Sequence, residues 1–165
     1  MKTKMKTVML GLAFVFIISA ATSARAIEYY GATQGFWKNH TELWSNPARL
    51  IRPNTLVTDV FDADHLPPYM TGGWGSTWTL IMVLSMPLWG CSTHVLLQQA
   101  VAAILNAQEF GSYYPLTVTG VGGVIYKVNA AISSDGVYGF RDVKLALADE
   151  LEGYNKAGYP KDWFG

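Results

Sequence analysis

Apolar residues follow helical rather than strand spacing along most of the chain. The clearest stretch is Leu96, Leu97, Ala100, Val101, Ile104 and Leu105, which fall on one face of a 3.6-residue period. Gln98 and Gln99 sit at the margin of that face, and Ser92 or Thr93 precedes it as an N-cap. The spacing therefore predicts a core helix. A shorter helix is expected over Thr79 to Leu84, capped by Ser76 and stopped before Pro87. Thr117 is placed to cap another, carrying Val121, Val124, Ile125, Val128 and Ile132. Gly120, Gly122 and Gly123 each cost about 1 kcal/mol relative to alanine inside a helix, which blurs its start. After a Ser133-Ser134-Asp135-Gly136 turn, a last helix is expected from about Phe140 to Asn155, with Val143, Leu145, Leu147, Ala148 and Leu151 inward.

The amino-terminal half is less regular. Thr41 can cap a short helix running to about Leu50, before Pro53, and Leu56-Val57 to Val60-Phe61 again has helical spacing. Pro67-Pro68 and Gly72-Gly73-Trp74-Gly75 then mark an irregular, exposed loop, the kind of segment that often carries function. No stretch alternates as a strand and no repeat is visible. The expected fold is all-α: a compact orthogonal bundle of five or six helices with an aromatic, Pro/Gly-rich loop.

The first 26 residues stand apart. A basic start, Met1 to Lys6, precedes an uncharged run whose apolar centre, Val8 to Ala21, is 14 residues long, followed by Ala24-Arg25-Ala26. This is the pattern of a secretory signal peptide, and its apolar centre is shorter than the roughly 20 residues that span a bilayer as a helix. Cleavage after Ala26 would leave one exported domain, residues 27–165, with no membrane span. The whole chain has 12 basic and 12 acidic residues, but the leader holds Lys2, Lys4, Lys6 and Arg25 and no acid, so the remainder is net acidic. A nucleic-acid partner is not expected of an acidic domain without a basic run. The single cysteine, Cys91, excludes an internal disulfide. No apolar tail with basic residues follows Gly158, so no sorting anchor is expected.

Thr33-Gln34-Gly35-Phe36-Trp37-Lys38-Asn39-His40 with Trp44, then Thr79-Leu80 to Ser85, Leu96 to Ala107, Tyr114-Pro115-Leu116-Thr117-Val118 and Tyr154 to Pro160, together resemble secreted prokaryotic domains that open with a Gly-Tyr/Phe-Trp-Lys-Asn-His-Pro signature. The resemblance implies an exported, often surface-associated protein of a family with no established activity. Members often carry a cysteine just before the signature and another near the end, where this chain has Gly31 or Ala32 and Tyr159. Thr41 replaces the usual proline and creates an N-glycosylation acceptor sequence at Asn39, inside a motif expected to be packed.

Two groups of residues carry candidate chemistry. In the signature, Trp37 and Trp44 either form a platform for a sugar ring or aromatic partner, with Lys38, Asn39 and His40 as polar contacts, or staple the segment to the core. In the following loop, Asp59, Asp62, Asp64 and His65 are close enough in sequence to hold a divalent cation, or else form a helix end and a solvated acidic loop. Tyr69, Trp74 and Trp78, and the terminal Trp163-Phe164, are aromatics for partner contact or self-association. No catalytic arrangement is apparent. The leading expectation is a non-enzymatic secreted or cell-surface interaction module, self-assembling or glycan-binding, with an envelope protein, a glycan or a second copy as partner and no cofactor. The alternative is a small secreted metal-dependent hydrolase using Asp62, Asp64, His65 and His40.

Overall fold

The structure, a computed structural model, describes residues 29–72, 77–87, 91–134, 140–160 and 163. Its elements are helical: α1 (Gln34–Asn39), α2 (Leu80–Ser85), α3 (Ser92–Phe110), α4 (Val124–Ile132) and α5 (Phe140–Asn155), joined by short 3-10 turns. Among the described residues there is no β-strand, only the isolated bridges Gly31–Gly158, Leu56–Thr79 and Thr71–Thr77.

Helix α3 is the axis of the fold. It contacts α1, α2, α4 and α5, so the period-3.6 face is only part of what it buries. Gln98 and Gln99 are not marginal; both are buried. With neighbours on every side their amides become anchors. Gln98 Nε2 donates to the Val83 and Met86 carbonyls at 3.0 and 2.8 Å, tying down the end of α2. Ala100, Ala102, Ala103 and Ala107 line the same helix, and such small side chains let neighbouring backbones approach.

Four helices start elsewhere than expected, among them α3, whose N-cap is Cys91 rather than Ser92 or Thr93. Thr33, not Thr41, caps the first one: its Oγ1 accepts the Phe36 N–H at 3.2 Å. Thr41 opens only a 3-10 turn to Trp44. It stops because the Ser45 hydroxyl donates to the Thr41 carbonyl at 2.7 Å and Asn46 Oδ1 accepts the Ala48 N–H at 2.9 Å, a side-chain turn that precedes a proline and turns the chain away from helix. The Leu56–Phe61 stretch likewise forms a 3-10 turn, Val57–Asp59, followed by another at Ala63–His65. Helix α4 begins at Val124, since Gly120 and Gly122 adopt positive φ, and the Thr117 carbonyl accepts the Val124 N–H at 2.9 Å. The α2 cap is Thr79; Ser76 lies outside the described residues.

Helix α5 has the expected bounds, and Ala148 and Leu151 are buried as expected, but its first turns face inward differently. Its buried positions are Lys144, Ala148, Leu151 and Asn155, spaced by four, three and four residues as one helical face requires. Val143, five residues before Ala148, points away and is 50% exposed. Lys144 takes the inward place with 1% exposure; its stem covers apolar surface while Nζ donates to Thr93 Oγ1 at 3.0 Å.

A buried amide network ties the Ala32–Trp37 segment to α3 and to the end of α5. Asn106 Oδ1 accepts the Ala32 N–H and Trp37 Nε1–H, at 2.8 and 2.9 Å, while its Nδ2 donates to the Ala32 carbonyl and to Asn155 Oδ1, at 2.9 and 2.8 Å. Asn155 Oδ1 also accepts the Tyr114 hydroxyl at 2.8 Å, and its Nδ2 donates to Gln99. Beside this network the Gly31 N–H donates to the Gly158 carbonyl.

Candidate functional site

The signature is a structural staple as far as its indoles are concerned. Trp37 and Trp44 are fully buried, and both ring N–H groups are used: Trp37 on Asn106 and Trp44 on the Trp37 carbonyl at 3.0 Å. Neither ring offers a face to a ligand. Trp163, expected to stay uncovered at the end of the chain, packs on Phe36, Trp37, Phe110 and Tyr159 and donates its Nε1–H to Glu109 at 3.0 Å. An aromatic cluster therefore holds the terminal segments together. The polar residues after Trp37 point outward, whereas Gln34 Oε1 is buried. Lys38 and Asn39 are exposed, so the glycosylation acceptor at Asn39 is accessible rather than packed. His40 stacks on Phe36, with ring centres 4.5 Å apart, and its Nδ1 lies 3.0 Å from Glu42 Oε1. Hydrogen bonding to backbone and then to His40 holds the Glu42 carboxyl below its ordinary range.

The acidic loop is built as a turn. Asp62 Oδ1 accepts the Asp64 N–H at 3.2 Å and Oδ2 lies 3.0 Å from His65 Nδ1, so Asp62 is the cap of its own 3-10 turn. Asp64 is exposed. Among the described residues no group of three or more His, Cys, Asp or Glu side chains is arranged to hold a metal ion. The third histidine, His94, is buried in the first turn of α3, where its Nε2 meets the Val83 carbonyl at 3.2 Å; desolvation keeps its pKa below the ordinary histidine value, partly offset by that bond.

The proline/glycine loop is more embedded than expected. Leu66 and Met70 are buried, and Tyr69 stands edge-on to buried Trp78 with ring centres 5.4 Å apart. Trp74 lies outside the described residues. Tyr69 also meets Cys91, the N-cap residue of α3. Burial alone would raise the Cys91 pKa. Hydrogen bonds from the Tyr69 hydroxyl, from the His94 and Thr93 backbone and from the Thr93 side chain outweigh it and leave the thiol below its ordinary value. Tyr69 itself is raised, by desolvation first and then by Cys91.

Two surface features are absent from the motif reading. One is a shallow groove of about 320 Å³ between α4 and α5, lined by Tyr126, Lys127, Ala130, Ala131, Val143 and Leu147. The other is a cleft of about 470 Å³ between the Leu50–Val60 segment and the start of α4, with Arg52 and Asp59 on one side and Thr119 and Ile125 on the other. The exposed Val143 was the available signal for the groove, once the phase of α5 is counted from Ala148 and Leu151. For the cleft only the alternation of charge across Arg52-Pro53-Asn54 and Asp59 was legible, because Thr119 and Ile125 arrive from a distant part of the chain. Among the described residues no helix is long and apolar enough to cross a membrane.

No family model, curated protein or solved structure matches the chain.

Proposed function

We propose that the chain is an exported, non-enzymatic interaction module that works at the cell surface or beyond it and pairs with a second copy of itself through the α4–α5 groove. The groove is the observation that carries this reading. Tyr126 is 55% exposed and Val143 50% exposed, beside a floor made of the small Ala130 and Ala131. A projecting ring next to a shallow small-residue floor is what a two-fold interface needs, since each copy supplies both knob and hole. Lys127 and Glu150 form an ion pair of 2.7 Å within the same pair of helices, so their charges are already neutralised when two such faces meet. Contiguous exposed apolar surface of this kind marks interaction sites. Export is supported by the Met1–Ala26 leader pattern and by the resemblance of the Thr33–His40 signature to secreted domains.

Sedimentation of the exported protein over a range of concentrations tests the pairing. A reversible dimer is expected, and Val143→Asp should shift it to monomer while leaving the helical circular dichroism unchanged. A wild-type chain that remains monomeric at the highest soluble concentration would refute self-pairing through this groove.

A further inference from the structure

The cleft between the Leu50–Val60 segment and the start of α4 carries an unusual combination of groups. Arg52 and Asp59 both line it and both are exposed, yet neither side chain forms an ion pair or hydrogen bond among the described residues. Opposite charges that share a cleft without meeting are each available to a ligand. The same cleft has an apolar side: Ile51 is buried, and Val60 and Ile125 are half-buried. Its volume, about 470 Å³, lies within the range of small-molecule sites, roughly 300–1,000 Å³.

The walls are held in place by the fold. Arg52 to Thr55 is a tight turn with Pro53 at its second position, closed by the Thr55 N–H on the Arg52 carbonyl at 3.0 Å and by the Arg52 N–H on Thr55 Oγ1 at 2.9 Å. Proline presets φ at that position. The Thr55 and Pro53 carbonyls then accept the Leu80 and Ile81 N–H groups, at 2.9 and 3.0 Å, so the turn satisfies the first orphan donors of α2. On the other side the Ile125 N–H donates to the Val118 carbonyl at 3.2 Å. The Asp62 N–H, just beyond the Asp59 turn, donates to Asn129 Oδ1 of α4 at 3.0 Å. A preorganised cleft loses little entropy on binding.

We infer that this cleft binds an amphipathic zwitterion: an amino acid or short peptide with free ends and an aliphatic side chain. A guanidinium fork pairs bidentately with a carboxylate, which assigns the ligand's carboxyl end to Arg52 and its ammonium to Asp59. The aliphatic side chain lies on Val60 and Ile125. The inference is independent of self-pairing, because it uses a different surface, and of export.

The test is calorimetric titration of the protein with trileucine, trileucine amide, N-acetyl-trileucine and free leucine. Trileucine should bind with a micromolar to millimolar dissociation constant. The amide should bind at least tenfold more weakly, and the acetylated form at least severalfold more weakly. Arg52→Gln should remove the difference between acid and amide, and Asp59→Asn the difference between free and acetylated amino ends. Thermal melting checks that both variants fold. Free leucine binding as tightly as trileucine supports the site as one for amino acids; weaker binding supports it as one for peptides. Absence of binding by any of the four, equal binding of capped and free forms, or binding of a neutral chitin oligomer in their place would overturn the inference.

Discussion

Replacing Asn106 by leucine keeps the number and branching of side-chain heavy atoms, adds the bulk of two methyl groups, and removes the amide. Four hydrogen bonds disappear with it. Asn155 Oδ1 keeps the Tyr114 hydroxyl as donor, so three groups are orphaned: the Ala32 N–H, the Ala32 carbonyl and the Trp37 ring N–H. All belong to residues with at most 1% exposure. A buried polar group left without a partner costs about 1–3 kcal/mol, which puts the minimum for three near ~3 kcal/mol and the unrelaxed maximum near ~9 kcal/mol. The segment holding Ala32 is otherwise secured by the Gly31 N–H on Gly158 and the Tyr30 N–H on Tyr113; by peeling away it can rehydrate its own N–H and carbonyl, which caps the loss well below that maximum. The expected destabilisation is about 3–5 kcal/mol, a large share of the 5–15 kcal/mol that a domain typically has. Urea unfolding followed by tryptophan fluorescence reads the loss, and hydrogen exchange at Ala32 shows whether the segment detaches before global unfolding. A variant within about 1 kcal/mol of the wild type, with Ala32 still protected, would show that the network does not hold the Ala32–Trp37 segment in place.

Further outcomes follow from single positions. Gly31→Ala places a Cβ against the Tyr154 backbone carbonyl and should cost about 1–3 kcal/mol as an overpacking change; Gly35→Ala, whose Cβ would meet only Thr33 Oγ1 at 3.8 Å, should be neutral or stabilising, and equal melting temperatures for the two would contradict the close approach. His94 has a folded pKa below its unfolded value, so its contribution to stability is complete above about pH 6.5 and is lost as the pH falls through that value toward the folded pKa. The urea midpoint should drop on acidification from about pH 7.5 to 5, His94→Gln should flatten that drop, and parallel profiles would refute the assignment. Since Tyr69 donates to Cys91, Tyr69→Phe should move the midpoint of Cys91 alkylation to higher pH; an unchanged midpoint in the iodoacetamide rate would remove Tyr69 as the stabilising donor.

What the sequence makes legible is helix type and approximate extent, and what it hides is what each helix faces. Helix α3 is recognisable from Leu96 to Leu105, but Gln98 and Gln99 look marginal because a linear pattern cannot show that α2 and α5 will supply acceptors and donors for them. In α5 the run Val143-Lys144-Leu145 draws the eye to the two aliphatics. The charged residue is the one inside, because Lys144 has a long stem and Thr93 supplies an acceptor. Thr33 and Thr41 are equally good caps by residue type, and only the Ser45-Asn46-Pro47 turn decides between them. The signature is the sharpest motif in the chain, and its tryptophans turn out to be core. The groove and the cleft, which the motif reading passes over, are assembled from ordinary residues that share no sequence neighbourhood.

The way the Gly31 and Gly158 segments are joined bears on the lack of a cysteine pair. The resemblance implies a cysteine pair near the two ends, and a single Cys91 cannot provide it. Here Gly31 pairs with Gly158 through the backbone, so closely that any side chain at position 31 would collide with the Tyr154 carbonyl. A cysteine at position 31 would therefore force the Tyr154 backbone to shift. A disulfide typically contributes about 2–4 kcal/mol, close to the loss expected on removing the Asn106 amide. The amides of Asn106 and Asn155 thus do by hydrogen bonding inside the core what a covalent link would otherwise do. Because this closure involves no thiol, the stability of the fold should be the same in oxidising and reducing buffer and should fall instead with any change that lets water reach Asn106.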